Sequence, residues 1–179
     1  MFTPFEIESL LYQYLDRLAA KGAYIPPVAI AGGFSLEDHM FKGLALGAPY
    51  VKAIAQARAP LTAAMVGKTV GGLIEKGAGN VVNKYGKSIE EVFVLAEDLK
   101  KRFGNETYKE IPTSAFGLYT YYARVAQGLR QLMAGARKFA LEHISRDDVV
   151  ALTRDVAGIT GVSYIMDLDK EEAERILDE

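Results

Sequence analysis

The residues in this chain best placed to do chemistry are two adjacent glycines. Gly32 and Gly33 follow the short apolar run Val28-Ala29-Ile30 and precede a helical pattern that opens at Ser35. Glycine carries no Cβ, so the backbone N–H groups of such a turn can approach an anion closely, and the N-terminus of the next helix adds a favourable dipole. A second run, Tyr50-Val51-Lys52-Ala53-Ile54, continues into Ala55-Gln56-Ala57. Two strand ends of this kind, side by side, make a phosphate cradle. Its candidate residues are Gly32, Gly33 and Phe34 on the first loop and Ala55, Gln56 and Ala57 on the second. Double glycines also occur at plain strand-to-helix turns, so the motif alone leaves both readings open. Lys52 either turns inward toward a ligand, where burial would depress its pKa, or snorkels to solvent as a rim lysine.

Other chemistries are faint or excluded. The chain has no cysteine, which rules out disulfides, thiolate metal sites, cysteine-bound iron–sulfur clusters and cysteine nucleophiles. His39 and His143 share no metal-ligand spacing. The net charge of −2 supplies no basic field for nucleic acid or an anionic membrane. The N-terminal stretch MFTPFEIESLLYQYLDRL lacks a basic start and carries acids among its apolar residues, so neither a signal peptide nor a membrane span is expected. A soluble, cytoplasmic protein is the expectation.

The elements that must position the glycine turn follow from hydrophobic periodicity. Residues 4–21 predict an amphipathic helix stopped by Gly22, and Ile25-Pro26-Pro27 delivers the chain extended into Val28. Ser35 with Asp38 resembles a capping box for a helix that closes at Gly47. Strand, helix, strand within about thirty residues is one βαβ unit with parallel strands. Residues 57–76, rich in Ala, Gly, Met and Val, predict a helix able to pack closely on a neighbour. Ser88 and Glu91 cap a helix expected to run to Gly104, a long helix is expected over about 114–141, Ser145 opens a short one, and Asp169 caps a last one ending at Leu177. Tyr119 and Tyr122 share a face of the long helix, where packing is the expected role. A two-stranded parallel sheet cannot stand alone, and the 27 residues before Val28 cannot hold six further barrel strands.

The segment AIAGGFSLEDHMFKGLALGAPYVKAI resembles the strand-seven to strand-eight segment of FMN-binding barrels, a group including the flavin domain of glutamate synthase, inosine monophosphate dehydrogenase and the 2-hydroxy-acid oxidases. Downstream, MVGKTVGGLIEKG, YGKSIEEVF, IPTSAFGLYTYYARVAQGLRQLMAGARKF and ISRDDVVALT are similar to the C-terminal part of glutamate-synthase-related FMN-binding proteins. The resemblance implies an α/β, helix-rich chain: the C-terminal part of a (β/α)8 TIM-type barrel over residues 1–57, then a helical extension over 58–179. It implies FMN as cofactor, with its phosphate on Gly32, Gly33, Phe34 and the backbone of Ala55, Gln56 and Ala57, and Lys52 near the flavin or substrate. It implies an oxidoreductase whose other parts, the N-terminal barrel portion or other copies of this chain, bring the flavin-ring contacts and the site for a substrate such as glutamate or 2-oxoglutarate. This chain alone is then not catalytic. Two departures stand out. Many relatives place a glycine directly after strand eight, where this chain has Ile54-Ala55-Gln56-Ala57, and full glutamate synthases carry the clustered cysteines of an iron–sulfur cluster, which this chain lacks. The alternative function is a non-catalytic helical module for assembly.

Overall fold

The computed structural model describes residues 3–77 and 84–179; Met1, Phe2 and residues 78–83 lie outside the described residues. Helix α1 spans Pro4–Ala20. Its start is a full capping box: the Thr3 hydroxyl accepts the Glu6 N–H at 3.3 Å, and the Glu6 carboxylate accepts the Thr3 N–H at 2.6 Å. Pro4 sits in the first turn, where its missing N–H costs nothing. Gly22, at φ 68°, ends the helix in a conformation that other residues adopt with strain. Strand β1 (Val28–Ala31), helix α2 (Glu37–Gly47) and strand β2 (Val51–Ala55) follow as the expected βαβ unit, and the two strands are parallel.

Their register explains which side chains are covered. Val28 pairs with Val51, but Ala29 pairs with Ala53, so Lys52 has no partner in β1. The extra residue acts as a bulge. It lets Val51 and Ile54, three positions apart, both reach the cluster formed by Phe41, Leu44, Ala45, Met133 and Ile144, which Val28 and Ile30 also join. The other face carries the exposed Ala29, Ala31, Ala53 and Ala55.

This sheet corrects the expected fold. Among the described residues it has two strands and no more, and the other regular elements are helices. A barrel requires every strand to be paired on both sides and the sheet to close on itself; among the described residues β1 and β2 have only each other. The C-terminal part of a (β/α)8 barrel is therefore not what this chain forms, although it is helix-rich. The local βαβ pattern is common to many parallel sheets and carries no information on further neighbours.

Six more helices complete the described chain: α3 (Arg58–Glu75), α4 (Ile89–Val92), α5 (Ala96–Glu110), α6 (Thr113–Gly135), α7 (Arg154–Thr160) and α8 (Lys170–Asp178). Ser88 caps α4 by accepting the Glu91 N–H at 3.3 Å. The single helix expected to run from there to Gly104 is broken, because Phe93 leaves helical dihedrals and is buried with Ala96, Leu99 and Phe116. Gly104, at φ 77°, interrupts α5, and the helix then resumes. Helix α6 stops at Gly135 rather than near Leu141, since Arg137 takes φ 57°. Ser145 and Asp148 form a capping box around a 3-10 turn at Arg146–Asp148.

The chain divides into two compact units, residues 1–55 with 129–179 and residues 56–128. In the second, α3 and α6 meet backbone to backbone, as the small residues of α3 lead one to expect. A Cβ on Gly67 would lie 2.6 Å from the Thr113 carbonyl oxygen, and one on Gly117 would meet the Ala63 carbonyl oxygen, with Gly67 Cα at 3.0 Å. Tyr119 of α6 donates to Asp98 at 2.5 Å, and Tyr108 donates to Glu90 at 2.9 Å, so these tyrosines pack and hydrogen-bond inside the helical unit.

Candidate functional site

Parallel pairing brings the carboxyl ends of β1 and β2 together, with Ala31 opposite Ala55. At that end β1 runs directly into Gly32 (φ 138°) and Gly33 (φ 72°), a turn that demands glycine's freedom. Both glycines are exposed. A Cβ at Gly33 would have nothing within 4 Å, and one at Gly32 would have only Pro4 Cγ at 3.8 Å. The turn is open enough for an anion to sit on its backbone.

Phe34 serves differently. Its side chain is buried, and a Cβ on Gly43 of α2 would lie 2.6 Å from its ring and 3.2 Å from Ile30 Cδ1. The ring thus clamps the turn onto α2 and is itself not open to a ligand. Replacing Gly43 by valine should drive the ring out of this seat and cost about 2 kcal/mol, read as a lower urea midpoint at unchanged slope. An unchanged midpoint would mean that the ring is not needed there.

Helix α2 starts one residue later than the sequence suggests. Leu36 is the N-cap residue, and it makes no side-chain capping bond. Asp38 does not serve as the far half of a Ser35 capping box; it takes Lys42 at 3.0 Å, and that bond holds its carboxyl below the usual carboxylate range. With Glu37 it places two acids in the first turn. They already answer the helix dipole, so an anion here depends on the glycine turn rather than on α2.

Lys52 stands apart from the glycines. As the bulge residue it is exposed and lies about 10 Å along β2 before Ala55. It borders a small cleft of about 200 Å³ with Ala48, Pro49, Leu141 and Glu142. Gln56 and Ala57 belong to the second unit. The Gln56 amide donates to the Tyr121 hydroxyl at 2.7 Å, and Ala57 is the N-cap residue of α3, without a side-chain cap and with no acid in the first turn. Of the sequence candidates, then, parallel pairing joins Gly32, Gly33 and Ala55.

One cluster went unseen in the sequence. The Arg146 guanidinium stacks on the Tyr12 ring, 3.9 Å from its centroid, and donates to the carbonyl oxygens of Leu46 and Thr160. Near it, Glu8 of α1 is only 3 % exposed, and its Oε1 has no hydrogen-bond partner. Burial pushes the Glu8 carboxyl up to about 7, against the opposing pull of Arg146. The available signal was Glu8 itself, an acid on the same face of α1 as the buried Leu15, two turns away. Next to this cluster, an apolar groove of about 630 Å³ runs between Phe5 of α1 and Leu46, Leu152, Val156, Ile159 and Val162.

No protein-family model matches the chain, and no curated protein or solved structure is similar to it. Among the described residues, no helix is long and apolar enough to cross a membrane.

Proposed function

We propose that this chain supplies the phosphate-binding end of the flavin site in a glutamate-synthase-like, FMN-dependent oxidoreductase, and that it is inactive alone. One observation carries this reading: a parallel strand pair whose paired ends, Ala31 and Ala55, open into an exposed glycine turn with positive φ at both residues. Gly32, Gly33 and the Phe34 backbone would hold the phosphate. FMN, when bound, supplies the hydride and electron transfer. The flavin-ring contacts and the site for a substrate such as glutamate or 2-oxoglutarate fall to further protein. That protein is either a segment that pairs with β1 or β2, or other copies of this chain. The exposed alanine face of the sheet supports such a partner, because parallel sheets are normally covered on both faces. A cytoplasmic setting accords with the absence of cysteine.

The test is an FMN titration followed by flavin fluorescence, with Gly33→Asp alongside. Aspartate tolerates positive φ better than most residues, so the variant places a carboxylate at the phosphate position while keeping the turn. Saturable binding, weakened by roughly tenfold or more in the variant, is expected. No saturable binding, or equal binding by both proteins, overturns the phosphate assignment.

A second reading, a non-catalytic assembly module, is favoured by a different observation. Ile7, Leu10, Tyr14 and Leu18 are all exposed at spacings of three and four along α1. A chain that binds no flavin yet forms a defined oligomer in light scattering supports this one.

A further inference from the structure

Glu8 occupies a position where a carboxyl group has little to gain from being charged. Its Oε1 sits against Gly47, 2.8 Å from where a Cβ on that glycine would be, and has no hydrogen-bond donor. Arg146 is close enough to act on it through space, yet no hydrogen bond or ion pair joins the two, because the guanidinium is spent on Leu46 and Thr160. Of the charged groups on the packed elements, Arg146 is the one that bears on Glu8, and several others hold partners of their own. Lys42 of α2 holds Asp38, Arg154 of α7 holds Asp167, and on α1 itself Asp16 accepts from Tyr50 at 3.0 Å. His39 of α2 lies 3.9 Å through Nε2 from the Asp38 carboxylate, and its buried Nδ1 lacks a partner.

The helix that carries Glu8 forms a wall. One turn before Glu8, Thr3, Phe5 and Glu6 line one side of the apolar groove, whose opposite side is built from Leu152, Val156 and Ile159. Helix α1 is held against α2 and α7 by its inner face alone, and its outer apolar stripe is bare. An element held on one side is the kind that opens as a local unit.

We propose that Glu8 makes α1 a proton-controlled wall of this groove: with the carboxyl protonated α1 is docked, and ionisation shifts the balance toward a state in which α1 has come away. The inference is independent of flavin binding. An acid whose folded-state pKa lies above its unfolded value leaves stability untouched below the unfolded value. It lowers stability progressively as pH rises between the two, then no further. With the carboxyl at about 7 docked and at the ordinary 4.5 released, α1 should open roughly 70-fold more often at pH 8 than at pH 5.

Amide hydrogen exchange over that range tests this, corrected for the intrinsic pH dependence of exchange. Protection of α1 amides is expected to fall by about that factor in the wild type and in His39→Gln, and to stay flat in Glu8→Gln, which keeps the shape but cannot ionise. A flat wild-type profile, or an equal slope in Glu8→Gln, overturns the proposal. Carbon-detected NMR titration of the Glu8 carboxyl in the wild type gives a reading that needs no variant. A midpoint near the ordinary glutamate value would overturn it equally.

Discussion

Gly117→Leu is expected to disrupt the helical unit of residues 56–128, lowering its stability by about 3 kcal/mol or more. The side chain would start where α6 already touches the backbone of α3: its Cβ would meet the Ala63 carbonyl oxygen and lie 3.0 Å from Gly67 Cα. Backbone cannot rotate aside as a side chain can, so the two helices would have to part along their contact. Parting them also loosens Thr113 from Gly71, whose own Cβ position is filled by the threonine side chain. Leucine is a better helix former than glycine by somewhat under 1 kcal/mol, which does not offset the clash. Gly72→Ala is the internal control. Gly72 lies on the same α3, but a Cβ there would have nothing within 4 Å, so this change should stabilise by roughly 0.5–1 kcal/mol. Urea unfolding followed by circular dichroism should give the two variants opposite signs. Loss of stability in both would mean that the glycines act through something other than close approach.

The second large effect is expected at Arg146. Arg146→Met keeps much of the apolar stem but removes the donors to Leu46 and Thr160, and with them the stacking on Tyr12. Two part-buried carbonyl oxygens then lose their partner, which together with the lost stacking should cost about 3 kcal/mol. The loss should also depend on pH. Arg146 is the charge that draws the Glu8 carboxyl downward against burial, so without it the folded-state value moves further above the unfolded one. The window in which rising pH weakens the fold then extends to higher pH. The variant should therefore trail the wild type by more at pH 8 than at pH 5. Equal deficits at both values would show that Arg146 acts through its hydrogen bonds alone and does not moderate Glu8.

Much of the local structure was legible in residue order, because it depends on neighbours within about one helical turn. Ser88 with Glu91 and Ser145 with Asp148 are capping pairs three residues apart, and each forms. The two apolar runs pair in parallel around α2, and Gly32-Gly33 takes the left-handed turn that only glycine enters freely. The small-residue character of α3 signalled close approach, although not that α6 would be the partner. Where residue order misled, a longer-range force had won. Ser35 and Asp38 have the spacing of a cap, yet Phe34 is drawn under Gly43 and Asp38 finds Lys42, so the helix opens at Leu36 without one. Phe93 interrupts a good helical pattern because burial beside Phe116 is worth more than one more turn of helix.

The candidate site divides the same way. The glycine turn and its paired strand end could be read from composition and spacing. That Lys52 is a bulge residue turned to solvent could not, since a bulge exists only relative to a second strand. Nor could the number of strands: a βαβ pattern encodes its own two strands, while any third must come from residues the pattern does not contain. The Arg146 cluster is the extreme case. Leu46 and Arg146 are separated by 100 positions, and Glu8 lies further still from the arginine that bears on it. Turns, caps and helix faces arise from contacts a few residues apart. The open sheet, the groove beside α1 and the buried acid at its base arise where distant segments meet, and only folding brings those together.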